Sequence, residues 1–202
     1  MIDGLLELYQ TTFDETWFIA ARELADLMLR HYADPAGGFF DTSDDHETLV
    51  TRPKDLQDNA VPSGNAMAAT VLLKLAAFTG EDRYYRHAEA LFGALQAAMI
   101  QSPLGFAQWL IALDSALSNP KEIALVGDER SDDVQALLDV IRAGFRPHQV
   151  VALGTLQADR PSAIPLLLDR PAVGERATAY VCMRFACQRP TTDPRVLAEQ
   201  LR

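Results

Sequence analysis

The stretch LLELYQTTFDETWFIAARELADLML, Leu5 to Leu29, lies without a gap over LLKLAAFTGEDRYYRHAEALFGALQ, Leu72 to Gln96, at an offset of 67 residues. Leu5/Leu72, Leu6/Leu73, Leu8/Leu75, Thr12/Thr79, Ala21/Ala88 and Leu24/Leu91 are identical. Apolar residues recur in each copy at helical spacing and break near Phe13 or Gly80; Asp14 or Glu81 then introduces acidic residues, which a helix N-terminus favours. Each copy therefore reads as helix, tight turn, helix, an αα-hairpin. Two such hairpins at a long period predict a helical array or toroid in which each unit buries its apolar stripe against a neighbour. A further helix is expected over PLGFAQWLIALDSAL, with Ser102 as cap and Pro103 at its first position.

The pattern changes at Asn119-Pro120. Beyond it come short β-rich runs, EIALVG, QVVALGT, AIPLLLD and TAYVCMR. SDDVQALLDVIRAGF between the first two reads as a helix capped by Ser131, and strand–helix–strand favours a parallel crossover. PTTDPRVLAEQL supplies a last helix with Thr192 or Asp193 as cap and Pro194 in its first turn. The expected fold class is α + α/β. Residues 1–118 would form about five helices in hairpins of an incomplete α/α toroid, and residues 119–202 a small α/β unit with three or four strands.

Charge narrows the partners. Residues 1–118 carry 17 acidic and 7 basic side chains and residues 119–202 carry 11 of each, which places the net charge of −10 in the helical part. Such a surface repels a phosphate backbone rather than releasing its counterions, so nucleic acid and anionic membrane are poor partners. No apolar run approaches the ~20 residues of a membrane span. The start, MIDGLLELYQ, lacks the basic region and cleavage site of a secretory signal, and a cytoplasmic location is expected.

More than thirty residues without helical period, HYADPAGGFFDTSDDHETLVTRPKDLQDNAVPSG, separate the two hairpins. Connections longer than about 12–15 residues usually carry a function. GGFFDT and ETLVTR can pair there as a short hairpin. At its end Asp55, Asp58, Asn59, Ser63 and Asn65 crowd one helix entrance. One reading is structural: Ser63 caps the helix, and Gly64 with its alanines permits close packing. The other is a polar rim, on which Asp58, Asn59 and Asn65 bond the hydroxyls of a carbohydrate while Arg52 and Lys54 balance the acid.

FFDTSDD, VTRPKDLQDNAVPSGNAMAATVLLKLAAFTGEDRYY, EIALVGD and TAYVCMRFACQRPTTDPRVLAEQL together resemble the C-terminal part of the thioredoxin-domain-containing family that includes the spermatogenesis-associated proteins. The resemblance covers essentially the whole chain. It implies a six-hairpin α/α toroid similar to N-acylglucosamine and cellobiose epimerases, followed by a short α/β tail. It also implies that this chain starts inside the toroid, without the thioredoxin-like domain and the earlier hairpins. No catalytic residue carries over, so enzyme activity stays open, and no cofactor is expected.

Of His31, His46, His87 and His148, none pairs at metal-ligand spacing, and no metal site is expected. His46, in the acidic SDDHET loop, is the histidine best placed for a rim. Cys182 and Cys187 would stand ~16 Å apart along an extended strand against ~5.5 Å between α-carbons in a disulfide. Two buried thiols are expected unless the chain turns at Arg184-Phe185-Ala186. The sharper alternative is redox exchange with a thioredoxin-like domain, the thiols activated by Arg184 and Arg189. LVGDERSDD resembles a phosphate-binding turn, but Asp128, Glu129, Asp132 and Asp133 make an anion unwelcome and leave helix capping as its role. A helical arc with its apolar wall open predicts a homo-oligomer, and an interaction module is the rival to sugar binding.

Overall fold

A computed structural model of the chain describes residues 1–47, 50–155 and 161–202. Helices α1 (Ile2–Thr12), α2 (Glu15–His31), α3 (Gly64–Thr79), α4 (Asp82–Gln101) and α5 (Ala107–Leu117) come first. Strand β1 (Lys121–Val126), α6 (Asp132–Arg142), β2 (Gln149–Gly154), β3 (Thr178–Met183), β4 (Ala186–Cys187) and α7 (Pro194–Gln200) follow. The fold is α + α/β, as the sequence pattern implies. The chain divides into two compact units. One comprises Met1–Glu7, Thr16–Ala76 and Glu81–Leu117; the other comprises Leu8–Glu15, Ala77–Gly80 and Ser118–Arg202.

The repeat survives as geometry. The turn between α1 and α2 passes through Phe13 at φ 53°, and the turn between α3 and α4 passes through Gly80 at φ 69°. Those positions, and the helix starts Glu15 and Asp82, are each 67 residues apart. A left-handed residue after the last helical turn satisfies the final carbonyls, and glycine reaches it without the steric cost that Phe13 bears.

In the helical unit, α3 is buried almost all round, through Ala66, Ala69, Leu72 and Leu75, as a central helix should be. Lys74 on α3 donates to Asp3 and Glu7 of α1, at 2.6 Å each. Arg22 and Asp26 of α2 meet Glu81 and Arg83 at the start of α4. Ser63 caps α3, its Oγ accepting from Ala66 N at 3.1 Å. Ser102 makes no such side-chain bond. Residues Pro103–Phe106 form a 3-10 turn, and the α-helix begins only at Ala107.

In the second unit the sheet order is β2-β1-β3-β4, with β1/β2 parallel and the other pairs antiparallel. Ile123, Leu125, Val151, Leu153 and Val181 meet Val134, Leu137, Leu138 and Ile141 of α6 in one core. Gly127 follows β1 where α6 comes close: a Cβ there would stand 2.3 Å from Val134 Cγ2. The outer edge of β2 is closed by the Leu8–Glu15 stretch. Val151 N donates to Gln10 Oε1 at 2.9 Å and Leu153 N to the Tyr9 hydroxyl at 3.4 Å, which blunts an open edge. Ser131 caps α6 and Asp193 caps α7, as expected.

One expected strand is corrected. AIPLLLD forms a 3-10 turn at Pro165–Leu167, because proline can neither donate to a ladder nor sit in a central strand. Phe39 of GGFFDT bridges back to Ala33, and Asp41 N donates forward to Pro53 O at 2.9 Å; the expected partner ETLVTR includes residues 48 and 49, which lie outside the described residues.

Candidate functional site

The long connection is held by its own polar groups. Asn65, 1% exposed at the start of α3, accepts from Phe39 N at 2.7 Å and donates to the carbonyls of Phe39 (2.9 Å) and Asp55 (3.1 Å). Asp58 accepts from Ser63 N with one oxygen, at 2.9 Å, and from Gln108 N with the other, at 2.8 Å. It thus caps α5 from fifty residues away, where a helix N-terminus favours a carboxylate. Trp109 Nε1 donates to Leu56 O at 2.8 Å and locks the same stretch. Arg52 donates to the carbonyls of His31 and Thr42 and lies 4.1 Å over the Phe40 ring, with Lys54 Nζ at 5.0 Å. Lys54 also pairs with Asp34. Asn59 is exposed, its Oδ1 turned to Ala60 N. Arg52, Asp58 and Asn65 therefore spend hydrogen bonds on the loop or its neighbours, and Asn59 bonds within the loop, its Oδ1 accepting from Ala60 N and its N donating to Val61 O at 3.0 Å.

Beside this network the helical unit carries a cavity of about 760 Å3 that opens to solvent. Leu24, Leu27 and Met28 of α2, with Met67, Ala68 and Val71 of α3, give it an apolar floor. His31, Tyr32, Asp41, Ser43, Asp45 and Asn65 give it a polar border. The 39–65 connection supplies much of that border, but through Phe39–Asp45 rather than Arg52, Asp58 and Asn59. His46 is exposed and absent from the lining, and His31 takes the place expected of it. The chain folds back so that Asp44 N donates to His31 O at 2.9 Å, and His31 Nδ1 lies 2.8 Å from Asp44 Oδ1. No spacing rule links a histidine at a helix end to carboxylates thirteen residues later in an irregular loop. His31, Asp44 and Asp45 bring ligand-type atoms within 4.8 Å of one another, yet exposed acids of this kind are ordinary and Ser43 already donates to Asp45.

The second unit places the cysteines together. The chain does turn at Arg184 and Phe185, both left-handed with φ 50° and 61°, the backbone of a tight hairpin. Cys182 and Cys187 fall opposite one another in the β3/β4 register, with α-carbons 3.8 Å apart, and are joined as a disulfide. Two buried thiols are thus corrected to one bond with a buried sulfur and an exposed one. The cation at the exposed sulfur is neither Arg184 nor Arg189 but Arg170, whose Nη1 donates to Cys187 Sγ at 2.9 Å. Burial raises the carboxyl of Glu122, opposite Cys182 on β1, above its ordinary value, although its Oε2 accepts from Phe185 N at 2.8 Å.

These features define a two-unit protein: helical hairpins with a ligand-sized cavity, and a small mixed sheet ending in a cystine-bearing hairpin. No family model matches the chain. It is 31% identical over 198 residues to spermatogenesis-associated protein 20 of Mus musculus and of Homo sapiens, a span of 96% of this chain and 25% of each of those proteins. It is 25% identical over 199 residues to an uncharacterized protein of Caenorhabditis elegans, covering 98% of this chain and 27% of that protein. The chain spans about a quarter of the length of the curated relatives it matches.

Proposed function

We propose that the helical unit is a carbohydrate-binding arc of an α/α toroid, acting in the cytoplasm, with its ligand in the cavity bordered by the 39–65 connection. The observation that carries this reading is the division of the cavity wall into an apolar floor and a border of carboxylates, hydroxyl and imidazole. A sugar presents the complementary surfaces, a C–H face and a ring of hydroxyls, each able to donate and accept. The reading concerns binding, and it assigns no catalytic residue. Calorimetric titration with mono- and disaccharides tests it. Saturable heat is expected, with Leu27→Trp, which fills the cavity from a partly exposed position, and Asp45→Asn each weakening affinity at least about tenfold. Absence of saturable heat with every sugar, or affinity unchanged in both variants, overturns the reading.

A second reading, self-association of the helical unit, is favoured by one observation. Leu104, Ile111 and Leu117, near the end of that unit, are 94%, 58% and 78% exposed. Large apolar side chains this exposed suit a protein partner, here a second copy of the chain.

A further inference from the structure

The cystine hairpin has features that a structural staple does not require. The disulfide spans only five residues, and the constraint it places on an unfolded chain is smallest for short loops. It joins β3 to a two-residue strand at the sheet edge. Its two sulfurs are unequal: Cys182 is fully buried, whereas Cys187 is exposed. At the exposed sulfur stands a cation whose position is set from elsewhere. Arg170 Nε donates to Leu166 O at 2.6 Å, and its guanidinium lies 5.4 Å from the Tyr180 ring, while the Tyr180 hydroxyl is anchored on Pro171 O. A guanidinium fixed beside a solvent-facing sulfur stabilises the thiolate, the species that reacts.

We propose that Cys182 and Cys187 form a reversible dithiol–disulfide couple that exchanges with a solvent-accessible disulfide or dithiol, Cys187 being the attacking sulfur, Cys182 the resolving one and Arg170 the positioning cation. In the reduced form the Cys187 thiolate attacks one sulfur of the partner's disulfide. A mixed disulfide forms, and the partner's other sulfur leaves as a thiolate that takes a proton from solvent. Cys182 then loses its thiol proton to solvent and attacks Cys187 Sγ. The mixed disulfide breaks and the second partner sulfur departs as a thiolate. The partner's disulfide has gained two electrons and, through solvent, one proton, and the hairpin has lost them. A dithiol partner runs the same steps backwards. The β3/β4 register, which holds the two residues opposite each other, keeps Cys182 within reach of the mixed disulfide.

The test uses the full chain, oxidised glutathione as the partner disulfide and intact mass as the readout. Reduced wild-type protein is expected to return to the internal disulfide, with at most a transient glutathione adduct, while its far-UV circular dichroism stays unchanged. Cys182→Ser should retain one glutathione and should capture it at least about tenfold faster than Cys187→Ser does. Arg170→Met should slow capture by the Cys182→Ser protein and Arg170→Lys should restore most of the rate, at unchanged melting temperature. Equal capture by the two cysteine variants, a disulfide that dithiothreitol reduces only in denaturant, or collapse of the dichroism on reduction would each overturn the proposal.

Discussion

Asp58 shows how a residue can look like a ligand contact and serve as a joint. Its composition context, beside Asn59 and upstream of Ser63 and Asn65, suits a sugar rim. Its two oxygens instead accept from Ser63 N and Gln108 N, so one carboxylate fastens the connection to α3 and starts α5. Asp58→Ala removes both acceptors at once and leaves part-buried amides without their partner. An unsatisfied group of that kind costs about 1–3 kcal/mol. The variant should therefore unfold at lower urea with an unchanged m-value, and its sugar titration, if it remains folded, should match that of the wild type. A wild-type urea midpoint would show that water replaces the carboxylate at both amides.

At the scale of elements, the hairpins and the parallel β1–α6–β2 unit were legible because their signals are local. Apolar periodicity, the caps Ser63, Ser131 and Asp193, and the 67-residue offset all report on backbone within a few residues. The misreadings share the opposite property. Pro165 sat in an apolar run, and its missing N–H outweighed composition. The cap of α5 came from Asp58 rather than Ser102, the cavity border from His31 rather than His46, and the cation at Cys187 from Arg170. Each depends on a chain reversal that no short window encodes. The β3–β4 hairpin itself required two consecutive left-handed residues, Arg184 and Phe185, neither of them a glycine. Glu122 ties this hairpin to β1 and yields a pH prediction. Burial raises its folded-state pKa, so the unfolded chain gives up this proton first. The stability it contributes is fully present below the ordinary carboxylate range and is lost as pH rises through the raised value. Glu122→Gln keeps an acceptor for Phe185 N and does not titrate. The variant's stability relative to wild type should therefore be lowest near about pH 4 and should rise toward about pH 7. Urea unfolding midpoints across that range check the sign, and a difference independent of pH would show that Glu122 is no more reluctant to ionise in the fold than in the unfolded chain.

For the molecule as a whole, charge and apolar exposure pull in opposite directions. Each copy carries a net charge of −10, which repels a second copy at low ionic strength. Leu110 and Leu117 stand seven residues apart on α5 and are 38% and 78% exposed, while Ile111 beside them and Leu104 in the preceding 3-10 turn are 58% and 94% exposed. A seven-residue spacing brings side chains back to one side of a helix, so Leu110 and Leu117, flanked by Ile111, supply an exposed stripe whose burial would favour pairing by about 25 cal/mol for each Å2 of apolar surface covered. The balance between the two is set by salt. At ~0.15 M the Debye length is about 8 Å, and repulsion between copies is largely screened, while the apolar term is almost unaffected. Association should therefore strengthen between low and moderate salt, the reverse of a contact held by opposite charges. Sedimentation velocity over a dilution series is expected to show a monomer–dimer equilibrium that shifts toward dimer with added salt. Ile111→Lys combined with Leu104→Lys should leave a monomer under every condition, because each buried ammonium would lose its water without gaining a partner. A wild-type protein that sediments as a monomer at all concentrations and salts would show that the stripe is too small, or too interrupted by polar groups, to overcome the loss of rotational and translational freedom on pairing.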